Sequence, residues 1–190
     1  MKKAILILTA AFISSLSLFA QDIPSKLLKG IETTKDEFTG ETMFYAKNCC
    51  LSIVQKGDTS KLYISLSCSS YDTPVKLKKI YILTNGETTE VDGDFTLKEI
   101  PQRVMSSNST GKFGTSSYKG AQFETRILYF EEWKVEATPY MTIVKSLIDN
   151  LGKVKFEGDN NTLFLEFSKK DAKRMKSIYE LYEYLSSPHL

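Results

Sequence analysis

Alternation of apolar and polar positions dominates the chain from Ile31 to Val135, and helical spacing takes over in the last third. Period-two alternation marks a strand with one buried face, whereas apolar residues recurring every three to four positions mark an amphipathic helix. Ile31 to Lys35 reads as a short first strand, ended by Asp36-Glu37-Phe38-Thr39-Gly40, where Asp and Gly are residue types that turns favour. Tyr45 to Val54 and Leu62 to Cys68 then read as a hairpin around Gly57-Asp58-Thr59-Ser60. Val75 to Thr84 is a further strand with imperfect alternation. Asn85-Gly86 supplies the positive backbone angles of a two-residue turn, so Glu87 to Val91 returns antiparallel.

Ser106 to Gly120 breaks the pattern. Ser, Thr, Gly and Asn dominate it, it holds no acidic residue, and Phe113 and Tyr118 are its only aromatics. It reads as a long polar loop, a kind of segment that tends to be functional or disordered. Ala121 to Val135 follows as a long strand, with Phe123, Ile127, Tyr129, Trp133 and Val135 on one face and Leu128 and Phe130 on the other. Its middle is expected to be covered on both sides.

In the last third, Thr138 is placed to cap a helix with Pro139 at its first position. Tyr140, Ile143, Val144, Leu147, Ile148 and Leu151 recur at helical spacing before Gly152. Lys153 to Glu157 and Thr162 to Phe167 form a hairpin through Gly158-Asp159-Asn160-Asn161. Ser168, with Asp171 three residues on, opens a last helix whose apolar stripe is Ala172, Met175, Ile178, Tyr179, Tyr182 and Leu185. Helices flanking a hairpin after a series of antiparallel strands predict an α+β fold: an antiparallel sheet built from hairpins with two C-terminal-region helices packed on one face. The Gly57-Asp58 and Gly158-Asp159 stretches resemble each other, as a diverged repeat or two hairpins with generic turns would.

The N-terminus adds a compartment to this picture. Met1-Lys2-Lys3 precedes an apolar run from Ala4 to Leu18 that ends at Phe19-Ala20, the pattern of a secretory signal peptide over residues 1–20. The run is short of the roughly 20 apolar residues a spanning helix needs. An exported protein, periplasmic or secreted, is expected, with residues 21–190 as one domain. Of the 25 basic residues, Lys2 and Lys3 leave with the leader, so 23 basic face 23 acidic residues. A neutral chain lacks the field that concentrates nucleic acid or anionic lipid. Export permits disulfides. Sheet alternation, with Ile53 facing Ile64, sets Cys49 opposite Cys68 and Cys50 on the other face, so a Cys49 to Cys68 bridge is geometrically conceivable beside the alternative of buried thiols.

The sequence holds little proton-handling chemistry. Its single histidine, His189, is second from the end. Ser109-Thr110-Gly111-Lys112 matches a Ser-x-x-Lys pattern without the partner motifs of penicillin-recognising enzymes, and it fails as a phosphate loop at Ser106 and Phe113. Glu131, Glu132, Glu124 and Asp94 are the carboxylates to consider for glycoside cleavage, but Glu131 and Glu132 point to opposite faces of a strand. Asp92-Gly93-Asp94 with Glu90 lacks the remainder of a calcium loop. No catalytic, cofactor or metal set is therefore expected. Trp133, Tyr179 and Tyr182 share faces with aliphatic residues and read as core, whereas Phe113 and Tyr118, flanked by Lys112 and Lys119, have no periodic explanation and are the candidate contact residues.

Asp36-Glu37-Phe38-Thr39-Gly40 with Thr42, behind a leader ending Phe19-Ala20-Gln21, resembles a group of small exported proteins of Gram-negative bacteria in which an Asp-x-Phe-Thr-Gly turn opens a strand-rich domain. The resemblance implies an exported domain and transfers no catalytic residue. Gly40 is expected to supply the turn and Phe38 to tuck under the sheet. The functional expectation is a non-enzymatic binding or interaction module of the cell envelope, with an envelope protein or glycan as partner. A carboxylate-based hydrolase acting on glycans is the alternative.

Overall fold

A computed structural model describes residues 23–91, 93–113 and 116–187, with the side chains of residues 105–123 outside that description. The leader, Asp92 and His189 lie outside the described residues. In chain order the strands are β1 (Glu32–Lys35), β2 (Thr42–Tyr45), β3 (Leu51–Lys56), β4 (Thr59–Tyr71), β5 (Leu77–Thr84), β6 (Glu87–Val91), β7 (Phe95–Phe113), β8 (Ser116–Glu136), β9 (Lys153–Gly158) and β10 (Thr162–Glu166). Helix α1 (Met141–Asn150) precedes β9 and helix α2 (Lys169–Ser186) closes the chain. The fold is α+β, but with two antiparallel sheets where one was expected. Their strand orders are β1-β2-β3-β4-β8-β7 and β10-β9-β5-β6.

The described residues form two compact units, 23–62 with 173–187 and 63–172. In the first, alternation buries Phe44, Leu51, Ile53 and Leu62 on the strands, while Met175, Ile178, Leu181 and Leu185 form the buried stripe of α2. Each such side chain contributes about 1.5–3 kcal/mol on burial. Leu181 takes the place on the stripe that spacing gave to Tyr182, and Tyr179 and Tyr182 are half-buried. A three-residue step from Ile178 keeps the smaller Leu181 on the inner face.

In the second unit, Ile64, Leu66 and Cys68 of β4 are buried, as is Trp133 of β8. The neighbouring sheet buries Ile80, Ile82, Val91, Val154 and Phe156, and α1 lies against β5 with Val144 and Leu147 buried. The imperfect alternation of β5 has a physical cause. Register shifts between Leu77, opposite Gly158, and Lys79, opposite Glu157, so a bulge inserts one residue and resets the period. Asn85 and Gly86 both have positive φ, and Thr84 pairs with Glu87, so that hairpin forms as expected.

The expected loop at residues 106–120 is instead the end of a long hairpin. Pairing of β7 with β8 continues from Phe95–Trp133 to Phe113–Ser116. Cross-strand backbone bonding overrides the loop-like composition, because Ser, Thr and Asn side chains need no buried face to sit in a paired ladder. Pro101 is accommodated because β7 is the outermost strand of its sheet.

Three local expectations change in detail. Thr138 does not cap α1: its hydroxyl donates to Glu136 Oε1 at 3.1 Å, Thr138–Tyr140 forms a 3-10 turn, and the α-helix starts at Met141. Leu151, with φ of 61°, ends that helix one residue before the glycine expected to do so. The turn after β3 is only Gly57-Asp58, with Thr59 already in β4, whereas β9 and β10 are joined through residues 159–161, so the two Gly-Asp hairpins differ in loop length. Ser168 caps α2 as expected: its N–H donates to Asp171 Oδ2 at 2.9 Å and the Asp171 N–H returns a bond to Ser168 Oγ at 3.3 Å.

At Gly158 a side chain would meet backbone: a Cβ there stands 2.2 Å from the Val75 carbonyl oxygen and 2.7 Å from that of Lys76. Gly158→Ala is expected to cost about 2–3 kcal/mol, read as a lowered urea midpoint at unchanged slope. An unchanged midpoint would mean that the Val75 segment yields without penalty.

Candidate functional site

The turn between β1 and β2 is fastened at several points. The Asp36 N–H donates to the Glu41 carbonyl at 2.8 Å, and the Gly40 N–H donates to the Asp36 carbonyl at 2.9 Å. Asp36 Oδ1 accepts from the backbone N–H groups of Phe38 at 2.8 Å and Thr39 at 3.2 Å, and the Glu41 N–H donates to Thr39 Oγ1 at 3.3 Å. Hydrogen bonds from the Phe38 and Thr39 amides hold the Asp36 carboxyl below the usual carboxylate range. Gly40 adopts φ of 71°, as the turn requires.

Phe38 departs from expectation. Instead of tucking under the sheet it is 101% exposed. The two amide bonds to Asp36 set the backbone so that the ring leaves the turn outward. Beside the turn lies a depression of about 390 Å³, lined by Thr34, Asp36, Glu41, Met43, Tyr45 and Val54. Thr34, Met43 and Val54 are successive cross-strand partners, so this is one row of the outer sheet face.

A second apolar surface belongs to the other unit. Tyr81, Lys155 and Phe164 form one cross-strand row, and Leu83 and Lys153 the next. With Thr88 they line a depression of about 340 Å³. Lys155 Nζ stands 5.0 Å above the Tyr81 ring and is ion-paired to Glu157, while Phe164 is 72% exposed.

Of the carboxylates considered for catalysis, Glu131 is 3% exposed and is spent on structure, accepting from the backbone N–H groups of Lys76 at 3.0 Å and Leu77 at 2.7 Å. Glu132 accepts the Ser65 hydroxyl. Glu124 and Asp94 are exposed. Among the described residues, no group of three or more His, Cys, Asp or Glu is placed to hold a metal ion. Trp133 is fully buried, edge-on to Tyr140 with ring centroids 5.3 Å apart.

The candidate contact residues Lys112, Phe113, Tyr118 and Lys119 sit on backbone that pairs Gly111 with Tyr118 and Thr110 with Lys119; their side chains lie outside the description. No disulfide joins Cys49 to Cys68: the cysteines are thiols. The alternation that placed Cys49 on a strand does not reach it. β3 starts at Leu51, and the Cys49 N–H closes a turn onto the Ala46 carbonyl at 3.1 Å. Sequence reasoning missed Phe164, whose outward parity on β10 was visible, and the outward ring of Phe38, for which the Asp two residues earlier was the signal.

Two outcomes follow from the buried polar groups. Glu131→Gln substitutes an amide NH₂ for one acceptor, facing a backbone donor, and is expected to cost about 1–3 kcal/mol in chemical denaturation. Burial, with the Glu131 carboxylate adding to it, pushes the Cys68 thiol up to about 12. The unfolded thiol ionises near its ordinary 9.0, so stability held below that pH is lost as pH rises from 9 toward 12. The difference in melting temperature between wild type and Cys68→Ala should therefore shift against wild type across that window; parallel curves would contradict the assignment.

No protein-family model, no curated protein and no solved structure matches this chain.

Proposed function

We propose that this protein is an exported, non-enzymatic interaction module of the bacterial cell envelope, with an envelope protein or glycan as its partner and Phe38 leading the contact. The observation that carries this reading is an aromatic side chain held wholly in solvent by a turn with its own hydrogen-bond framework. A ring presented this way offers about 1.5–3 kcal/mol on burial against a partner. The turn is ordered beforehand, so little conformational entropy is lost on docking. Aromatic residues, Phe among them, are enriched in the cores of binding surfaces. Export rests on the leader pattern over residues 1–20. The end of the β7–β8 hairpin, with Lys112, Phe113, Tyr118 and Lys119, is a second contact in the same proposal.

The non-enzymatic reading is supported by the commitment of Glu131, the buried acid among the described residues, to two backbone amides, which occupies both of its carboxylate oxygens. The test is capture of envelope fractions, sacculi and membrane extract separately, by the immobilised full chain. Phe38→Ser is expected to reduce capture about tenfold or more while leaving the melting temperature in place. Full capture by Phe38→Ser would remove Phe38 from the contact, and glycan turnover in the same incubations would replace the reading with the hydrolase.

A further inference from the structure

Strand β10 is outermost in its sheet, and among the described residues no strand pairs with its outer side. The Gly158 N–H donates to the Asn161 carbonyl at 3.1 Å and the Phe167 N–H to that of Gly152 at 2.9 Å, so the odd-numbered residues of this stretch bond to β9. Bonding alternates along an antiparallel strand, which turns the backbone groups of Thr162, Phe164 and Glu166 away from β9. The Thr162 N–H fits that parity, donating to Asn161 Oδ1 at 2.8 Å. Outermost strands ordinarily carry charge that discourages pairing. β1 has Glu32 and Lys35, β6 has Glu87 and Glu90, and β7 has Lys98 and Arg103. β10 has Glu166 alone, at its end. Its ring at Phe164 is exposed on one face, and on the other Leu165 is 38% exposed although it lies opposite the buried Val154. We propose that β10 pairs antiparallel with β10 of a second copy of this chain, about a two-fold axis at Phe164.

With Phe164 opposite its own copy, Thr162 faces Glu166 and Leu163 faces Leu165 of the second copy. Thr162, Phe164 and Glu166 then all stand in hydrogen-bonded pairs, each exchanging two backbone bonds. A register moved by one residue sets outward groups against groups that face β9, and one moved by two leaves an outward residue unmatched. The Thr162 amide must give up Asn161 Oδ1 to join the ladder. The leucines fall in the other class of pair, where side chains stand closest, and they prolong the buried row of Val154 and Phe156. Charge agrees with this register. Glu166 arrives opposite the neutral Thr162 and keeps Lys153, 2.6 Å away, at its back, so no like charges are set opposite each other.

The experiment is sedimentation equilibrium of the full chain under reducing conditions, from about 10 µM to 1 mM. Wild type is expected to pass from monomer to dimer, and to stop there because a two-fold contact uses up β10 of both copies. Phe164→Lys sets two ammonium groups against each other at the axis and is expected to raise the dissociation constant at least tenfold. Phe38→Ser is expected to leave it unchanged. The register is read from Thr162: Thr162→Lys, facing Glu166, is expected to tighten the dimer about threefold, and Thr162→Glu to weaken it about as much. A wild type that stays monomeric throughout would overturn the proposal and leave the edge to a strand of another protein. Association continuing beyond a dimer, a Phe164→Lys dimer as tight as wild type, or equal association by the two Thr162 variants would overturn it too. Circular dichroism of each variant, matching wild type, shows that lost association is not lost fold.

Discussion

Glu131 reaches from β8 in one sheet to the backbone amides of Lys76 and Leu77 at the entrance to β5 in the other. The short segment it holds is grasped from the opposite side as well. Asp159 and Asn160 donate their backbone N–H groups to the carbonyls of Lys76 and Val75, and the Asn160 side chain donates to that of Pro74. Lys76 has φ of 54°, a conformation a residue with a side chain avoids unless its surroundings enforce it. A buried carboxylate accepting two amides is well satisfied, and without it the buried Leu77 donor and the part-buried Lys76 donor would lose their acceptor. The β5 bulge and the close approach at Gly158 lie on the same segment.

The same arrangement decides what is left for function. The deepest acid is spent on backbone, the Cys68 thiol beside it is kept protonated by burial, and Glu132 is occupied by Ser65. Two aromatic rings face outward instead: Phe38 on its fastened turn in one unit, and Phe164, beside the half-buried Tyr81, on the open sheet face in the other. The proposed function draws on that division.

The α+β class, the Asn85-Gly86 hairpin and the Ser168 cap were legible because each depends on side-chain chemistry within a few residues of itself. The far end of the β7–β8 pairing was not, since the backbone ladder that joins Ser107 through Phe113 to Ser116 through Gln122 carries no side-chain period. Tyr182 and Leu181 sit one position apart on α2, and only packing distinguishes them. The Asp-x-Phe-Thr-Gly turn implies a Phe38 tucked under the sheet, yet Asp36 takes up the Phe38 and Thr39 amides and the ring stands outside. α1 likewise starts at Met141 because the Thr138 hydroxyl donates to Glu136 and makes no cap to the helix amides. The role of Glu131 needed coordinates, because its acceptors' partners lie some fifty residues away in sequence, with Leu77 separated from it by 54 positions.

Pro101 lies partway along β7, the outermost strand of its sheet and nineteen residues long. A border of that length exposes a row of backbone donors and acceptors on which a strand from another molecule could assemble. The pyrrolidine ring withholds one donor and places bulk in the path of an incoming backbone, and it can stand in the ladder only with its nitrogen turned away from β8. A foreign strand added along this flank would find its ladder interrupted at Pro101.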